Sequence, residues 1–262
     1  MASFQQSNIR LGRGAFGSVT VVKHIGQNKL YAMKNQYLDD MALEEVLVLS
    51  KVKGPHTVAM NSYFWVEPLQ TRMYIVEEYY RGGSLYKFLE AIGGPLNTDE
   101  CRFYAAQMLL AISRIHQQGI ADFGIAERLL DNPSGVVRDW NYLGAELNYM
   151  STYNWWNNFF NEKFLGLPTE QQEFIKELFS HTPINRAMEM KLKAHPWFKN
   201  YTPADWLAIE NRKKPAPFTL VFDGETMVYQ PTPFYGRQVP IQRAKKTYSL
   251  ANFTPVVDSQ EY

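Results

Sequence analysis

The chain has 262 residues, 45% apolar and 20% charged, which supports a substantial core and excludes a disordered protein. Its 27 basic and 26 acidic side chains leave a net charge of +1, so no global field draws it to nucleic acid or an anionic membrane. A single cysteine, Cys101, excludes an internal disulfide framework and suits a reducing compartment. The purest apolar run, Met108 to Ile112, falls far short of the ~20 residues a membrane span needs, and the opening run is expected to hold no secretory signal.

Residues 9–34 read as strands joined by glycine turns. Ser18 to Val22 is rich in β-branched residues, Ile25-Gly26-Gln27-Asn28 is turn chemistry, and Leu30 to Lys34 resumes an extended pattern. Residues 39–52 read as a helix with Asp39 or Asp40 as N-cap and Leu43, Leu47 and Val48 along one side. Met73 to Tyr79 reads as another strand, closed by Arg81-Gly82-Gly83. Beyond Gly83 the period becomes helical. Tyr104, Met108, Ala111 and Ile115 share one face of a long helix, and Trp140, Leu143, Gly144, Leu147 and Met150 repeat that spacing. Phe174, Ile175, Leu178 and Phe179 mark a third helix, and Ala187 to Ala194 a fourth. From Pro203 onward scattered prolines predict an extended tail. The plan is α+β, with a β-rich lobe over 1–80, a helical lobe over 81–200 and a tail over 201–262.

Gly12-Arg13-Gly14-Ala15-Phe16-Gly17-Ser18-Val19 fits Gly-x-Gly-x-x-Gly-x-Val, in which glycines let backbone approach phosphate oxygens. Alone it is equally a glycine-rich hairpin. A strand ending in Tyr31-Ala32-Met33-Lys34 follows, then a helix with Glu44 and Glu45, a strand with a glycine turn, a long helix, and Asp122-Phe123-Gly124. Taken in this order, the sequence resembles a protein kinase. Arg102-Phe103-Tyr104-Ala105-Ala106-Gln107, Asp139-Trp140, His195-Pro196-Trp197-Phe198, Asp205-Trp206-Leu207-Ala208-Ile209 and Ala216-Pro217-Phe218 resemble the AGC group, most closely the catalytic subunit of cAMP-dependent protein kinase.

The resemblance implies a bilobal kinase-like fold using ATP and magnesium. Leu11, Gly12, Gly14, Gly17, Val19 and Ala32 would cover the nucleotide, and Lys34, paired with Glu45, would hold its α- and β-phosphates. Glu78 and Tyr79 would form the hinge along the adenine edge, Phe234 or Tyr235 would close the adenine pocket from the tail, and Asp122 would bind magnesium. It also implies a catalytic loop that this sequence lacks. Ile115-His116-Gln117-Gln118-Gly119-Ile120 runs straight into Ala121-Asp122, with no aspartate or asparagine between His116 and Asp122. No Ala-Pro-Glu-like motif stands between Arg128 and Asp139, so Arg186 lacks that glutamate as a partner. The loop's two flanking short strands are expected to be missing with it.

Glu77 stands at the gatekeeper position and is expected to find Lys34 or turn to solvent. Ser84 replaces the acidic residue expected for ribose and substrate arginine. No residue is therefore assigned to catalysis. One reading is a pseudokinase that binds ATP and acts through protein partners, cytoplasmic or also nuclear. The other is a Ser/Thr kinase in an incomplete or alternatively spliced form. Trp155, Trp156, Phe159 and Phe160 read as core packing or as a partner patch, and the five histidines share no metal-ligand spacing.

Overall fold

The computed structural model describes residues 3–14, 17–65, 71–118, 120–121, 127–128, 162–178, 189–223, 226–236 and 253–255. They form two compact units. The described residues of Met1–Lys53, Thr57–Gly83 and Lys245–Tyr262 make a β-sheet unit, and those of Gly54–His56 and Ser84–Ala244 a helical unit.

The sheet unit holds β1 (Phe4–Gly14), β2 (Gly17–His24), β3 (Lys29–Tyr37), α1 (Asp40–Lys51), β4 (Met60–Trp65) and β5 (Arg72–Glu78), with β10 (Phe253–Pro255) added from the far end of the chain. The order is β10-β1-β2-β3-β5-β4, antiparallel throughout. The Ile25–Asn28 turn closes with Asn28 at φ 51, a left-handed position that asparagine tolerates. Alternation of side chains along each strand divides the apolar residues between two faces. Phe4, Val22, Tyr31, Met33 and Val76 form a cluster on one face, while Met73 and Ile75 on the other pack against Ala42, Val46 and Leu49 of α1.

Asp39 is the N-cap of α1, accepting from the Ala42 N–H at 2.8 Å. The stripe read from the sequence is corrected here: Leu43 is exposed and Leu47 half-buried, and the helix buries Ala42, Val46, Val48 and Leu49. Strand β4, with Tyr63 and Trp65 exposed, had no distinct signal in the sequence.

The helical unit begins with α2 (Leu85–Ile92) and α3 (Thr98–Gln117), followed by the paired two-residue strands β6 (Ile120–Ala121) and β7 (Glu127–Arg128). Then come α4 (Glu162–Leu165), α5 (Thr169–Leu178), α6 (Glu189–Lys193), a 3-10 turn at Pro196–Phe198 and α7 (Pro203–Glu210). Strands β8 (Phe218–Asp223) and β9 (Thr226–Pro231) form a hairpin, and Pro233–Tyr235 a last 3-10 turn. Local chemistry sets the ends. Gly93 stops α2 at φ 74, Asn97 and Glu100 make a capping box for α3, and Thr202 with Asp205 makes one for α7, with Pro203 at the helix start.

The core gathers Leu89, Leu109, Phe164, Phe174, Trp197 and Phe198, joined by Phe218 and Tyr229 of the hairpin. Burial lowers the proton affinity of His195, and its neutral ring accepts from the Trp197 N–H at 3.1 Å.

Two expectations are corrected. The single face read for α3 is too narrow: Tyr104, Met108 and Ala111 are only half-buried, whereas Phe103, Ala106, Leu109 and Leu110 are buried, because the helix packs on several sides. Residues 203–236 contain a capped helix and a hairpin rather than an extended run. The paired strands β6 and β7 stand on either side of residues 122–126 in the chain. The expected helix at Trp140–Met150, the aromatic group at 155–160, and Arg186, Phe179 and residues 187–188 lie outside the described residues.

Candidate nucleotide-binding face

The glycine-rich segment is the hairpin between β1 and β2. Arg10 pairs with Thr20, Gly12 with Val19, Arg13 with Ser18 and Gly14 with Gly17, and a register shift between Arg10 and Gly12 leaves Leu11 as the extra residue. The glycines differ in what demands them. A Cβ on Gly17 would lie 2.0 Å from the Asn35 carbonyl oxygen, so the fold itself requires glycine there. A Cβ on Gly12 or Gly14 would meet nothing within 4 Å. The chain's own packing therefore does not call for glycine at either of those positions.

Directly opposed residues in a sheet share a face. Val19 stands opposite Lys34, Val21 opposite Ala32, and Ala32 opposite Glu77. One face therefore carries Val19, Ala32, Lys34 and Glu77, and α1 covers its other end through Met73 and Ile75. That packing brings Glu45 to Lys34. The Lys34 Nζ lies 2.6 Å from Glu45 Oε1 and 2.7 Å from Oε2. Both side chains keep partial access to solvent, at 23% and 32%. The arrangement presents an ammonium, flanked by apolar Val19 and Ala32, beneath an open glycine hairpin.

The family model of the protein kinase domain matches residues 5–123. The fold is kinase-like. Relatives among known proteins include the serine/threonine-protein kinase SCH9 of Saccharomyces cerevisiae, 25% identical over 292 aligned positions that take in 84% of this chain and 35% of the relative. The RAC family serine/threonine-protein kinase homolog of Dictyostelium discoideum is 22% identical over 305 positions, 92% of this chain and 67% of the relative. The myotonin-protein kinase of Mus musculus is 27% identical over 296 positions, 82% of this chain and 45% of the relative. The chain thus spans about a third of the yeast relative's length and under half of the mouse one's.

Within this kinase-like chain the remaining site residues are placed unevenly. Glu77 makes no hydrogen bond or ion pair with the described residues, so the expected direct pairing with Lys34 is absent, because Glu45 occupies that ammonium. Burial first, then the Glu45 charge, raise Glu77's proton affinity above the ordinary carboxylate range against the pull of Lys34. The Glu78 side chain turns to Lys29 at 3.0 Å and its backbone N–H donates to the Ala59 carbonyl at 3.0 Å, with Tyr79 next in the chain. Asp122 lies outside the described residues.

Ser84 and Tyr235 have local roles. Ser84 is the N-cap of α2, a local role that explains a serine there. Tyr235 is committed to the helical unit: its hydroxyl donates to the Pro215 carbonyl at 2.8 Å and its ring meets Phe103, while Phe234 is 70% exposed.

One site residue escaped the sequence reading. Gln36, buried at 4% exposure, donates from Nε2 to Glu45 Oε2 at 2.9 Å. The available signal was alternation, since Gln36 follows Lys34 by two along a strand and so shares its face.

Proposed function

We propose that this chain is a degenerate kinase-like protein of the AGC type, a pseudokinase whose β-sheet unit holds ATP and which does not transfer its γ-phosphate. The single observation carrying the binding reading is the contrast among the glycines: Gly12 and Gly14 face open space, and only Gly17 is demanded by packing. Gly12 and Gly14 would admit the phosphates, Lys34 with Glu45 behind it would hold two of them, and Leu11, Val19 and Ala32 would cover the base. The backbone of Glu78 and Tyr79 would meet its edge. Magnesium, held by Asp122, would neutralise phosphate charge.

Inactivity rests on the run from His116 to Asp122, which holds no aspartate or asparagine between those two residues. The alignments run to 292 and 305 positions, more than the 262 residues of this chain, so they open gaps in it. A positioned base contributes ~10²–10⁴-fold. A displacement of ~1 Å in the remaining groups costs ~10²-fold more.

Thermal denaturation with ATP and magnesium tests binding. A rise in Tm of several degrees is expected for the natural chain and none for Lys34→Met. Phosphate transfer to a peptide, abolished by that same substitution, would overturn the reading of inactivity.

A second reading is favoured by the abruptness of the gap. The motifs on both sides are intact, as splicing would leave them, so the sequence would be an incomplete form of a Ser/Thr protein kinase. Transcript sequencing across Ile120–Ala121 separates the two. Acting without transfer, the protein would work by binding other proteins, in the cytoplasm or also the nucleus. No helix among the described residues is long and apolar enough to cross a membrane.

A further inference from the structure

We propose that Gln36 is a positioning residue for the phosphate-binding lysine: its amide holds Glu45 from β3, so that α1 stays in place when Lys34 turns to a ligand. This rests on the nucleotide-binding reading above and deepens it.

The geometry is a three-point clamp. Glu45 Oε1 accepts from Lys34 at 2.6 Å, and Oε2 accepts from Lys34 at 2.7 Å and from Gln36 Nε2 at 2.9 Å. The two donors come from one strand, two residues apart and on one face, while the acceptor comes from α1. With the amide nitrogen toward the carboxylate, donor meets acceptor. The position faces the helix-covered end of the sheet. Gln36 stands opposite Met73, which packs with Ala42, Val46 and Leu49 of α1, and an apolar side chain would satisfy that environment. A buried amide is costly there unless bonded, so the glutamine is accounted for by Glu45.

Its neutrality matters. Lys34 has a long side chain and one charge, which an anionic ligand and Glu45 must share. Without a second donor, drawing Lys34 toward a phosphate would leave the half-buried Glu45 near Glu77 with no protein donor on its carboxylate. The Gln36 amide keeps a hydrogen bond on Glu45 throughout. It adds no positive charge to compete with Lys34 for the phosphate, and it does not neutralise the carboxylate that aims the ammonium.

The test uses the full chain and two readouts. In the first, Lys34 is acylated by an amine-reactive reagent without ligand, and its rate is followed by mass spectrometry with exposed Lys29 as internal reference. Gln36→Leu, similar in size but lacking the donor, is expected to label at Lys34 about tenfold faster with Lys29 unchanged. In a Glu45→Ala background the same substitution is expected to have no further effect. In the second readout, Mg·ATP affinity is expected to fall about tenfold in Gln36→Leu, again only when Glu45 is present.

An unchanged Lys34 rate in a folded Gln36→Leu protein overturns the proposal. So does equal acceleration at Lys29 and Lys34, which would mean general loosening, and so does an undiminished effect in the Glu45→Ala background. If the natural chain binds no ATP, the nucleotide reading fails by itself, and the labelling arm still decides the role of Gln36.

Discussion

Glu77 places a second carboxylate near the one ammonium that Glu45 has engaged. Its proton affinity is raised from an ordinary value of 4.5, first by burial and then by the Glu45 charge. The folded chain therefore holds the Glu77 proton more tightly than the unfolded chain. Below pH 4.5 both states are protonated and the group costs nothing. As pH rises above 4.5 the unfolded state ionises first and stability falls, and the loss is complete once pH has passed the raised value and the folded state has ionised too. Glu77→Gln is accordingly expected to raise stability at pH 7.5 by on the order of 1 kcal/mol, a figure already reduced for solvent screening of a half-buried group. Denaturant titration of both proteins should show that gap closing as pH is lowered toward 4.5.

At the scale of elements, the β1–β2 hairpin separates folding from binding. Gly17→Ala drives a methyl into the Asn35 carbonyl, 2.0 Å from the Cβ position, so strand pairing must shift. A loss of ~1–3 kcal/mol is expected, visible as a lower Tm. Gly12→Ala meets no protein atom and is expected to leave Tm within a degree or two while weakening ATP binding. Equal damage to stability from both would remove the argument for a ligand above the hairpin. The helices make a related point about periodicity. Asp39 was readable as a cap because its chemistry is local, whereas the stripe on α1 was misread because Leu43 and Ala42 both fit an amphipathic pattern. Contact with Met73 and Ile75 of β5 selects the face containing Ala42, Val46 and Leu49.

On the scale of the whole molecule, each unit has its own apolar core, with none of the clustered residues of one appearing in the other. Phe174 is fully buried among His195, Trp197 and Phe198. Phe174→Ala is expected to cost about 3–5 kcal/mol. Hydrogen exchange should report lost protection in α3, α5 and the Pro196–Phe198 turn, with β2 and β3 unchanged. Comparable loss in β2 and β3 would mean that the two cores unfold as one. The number of prolines beyond residue 203 suggests an extended run, but their positions decide otherwise. Pro203 begins a capped helix, Pro231 ends a strand and Pro233 opens a 3-10 turn, all places where a missing N–H costs little. Phe218 and Tyr229 then bury the hairpin against Phe88.

The sequence by itself determined the glycine lip, the strand lysine, the helix glutamate and the helix caps, because each depends on neighbours a few residues away or on a recognisable order of motifs. It also shows, with no need of coordinates, that no aspartate or asparagine stands between His116 and Asp122. Tertiary structure alone decided that Gln36 grips Glu45, that Glu77 is half-buried without a partner among the described residues, and that residues 203–236 form a helix and a hairpin. Those outcomes turn on which surfaces exclude water and which donors meet across elements distant in the chain, and local spacing carries no record of either.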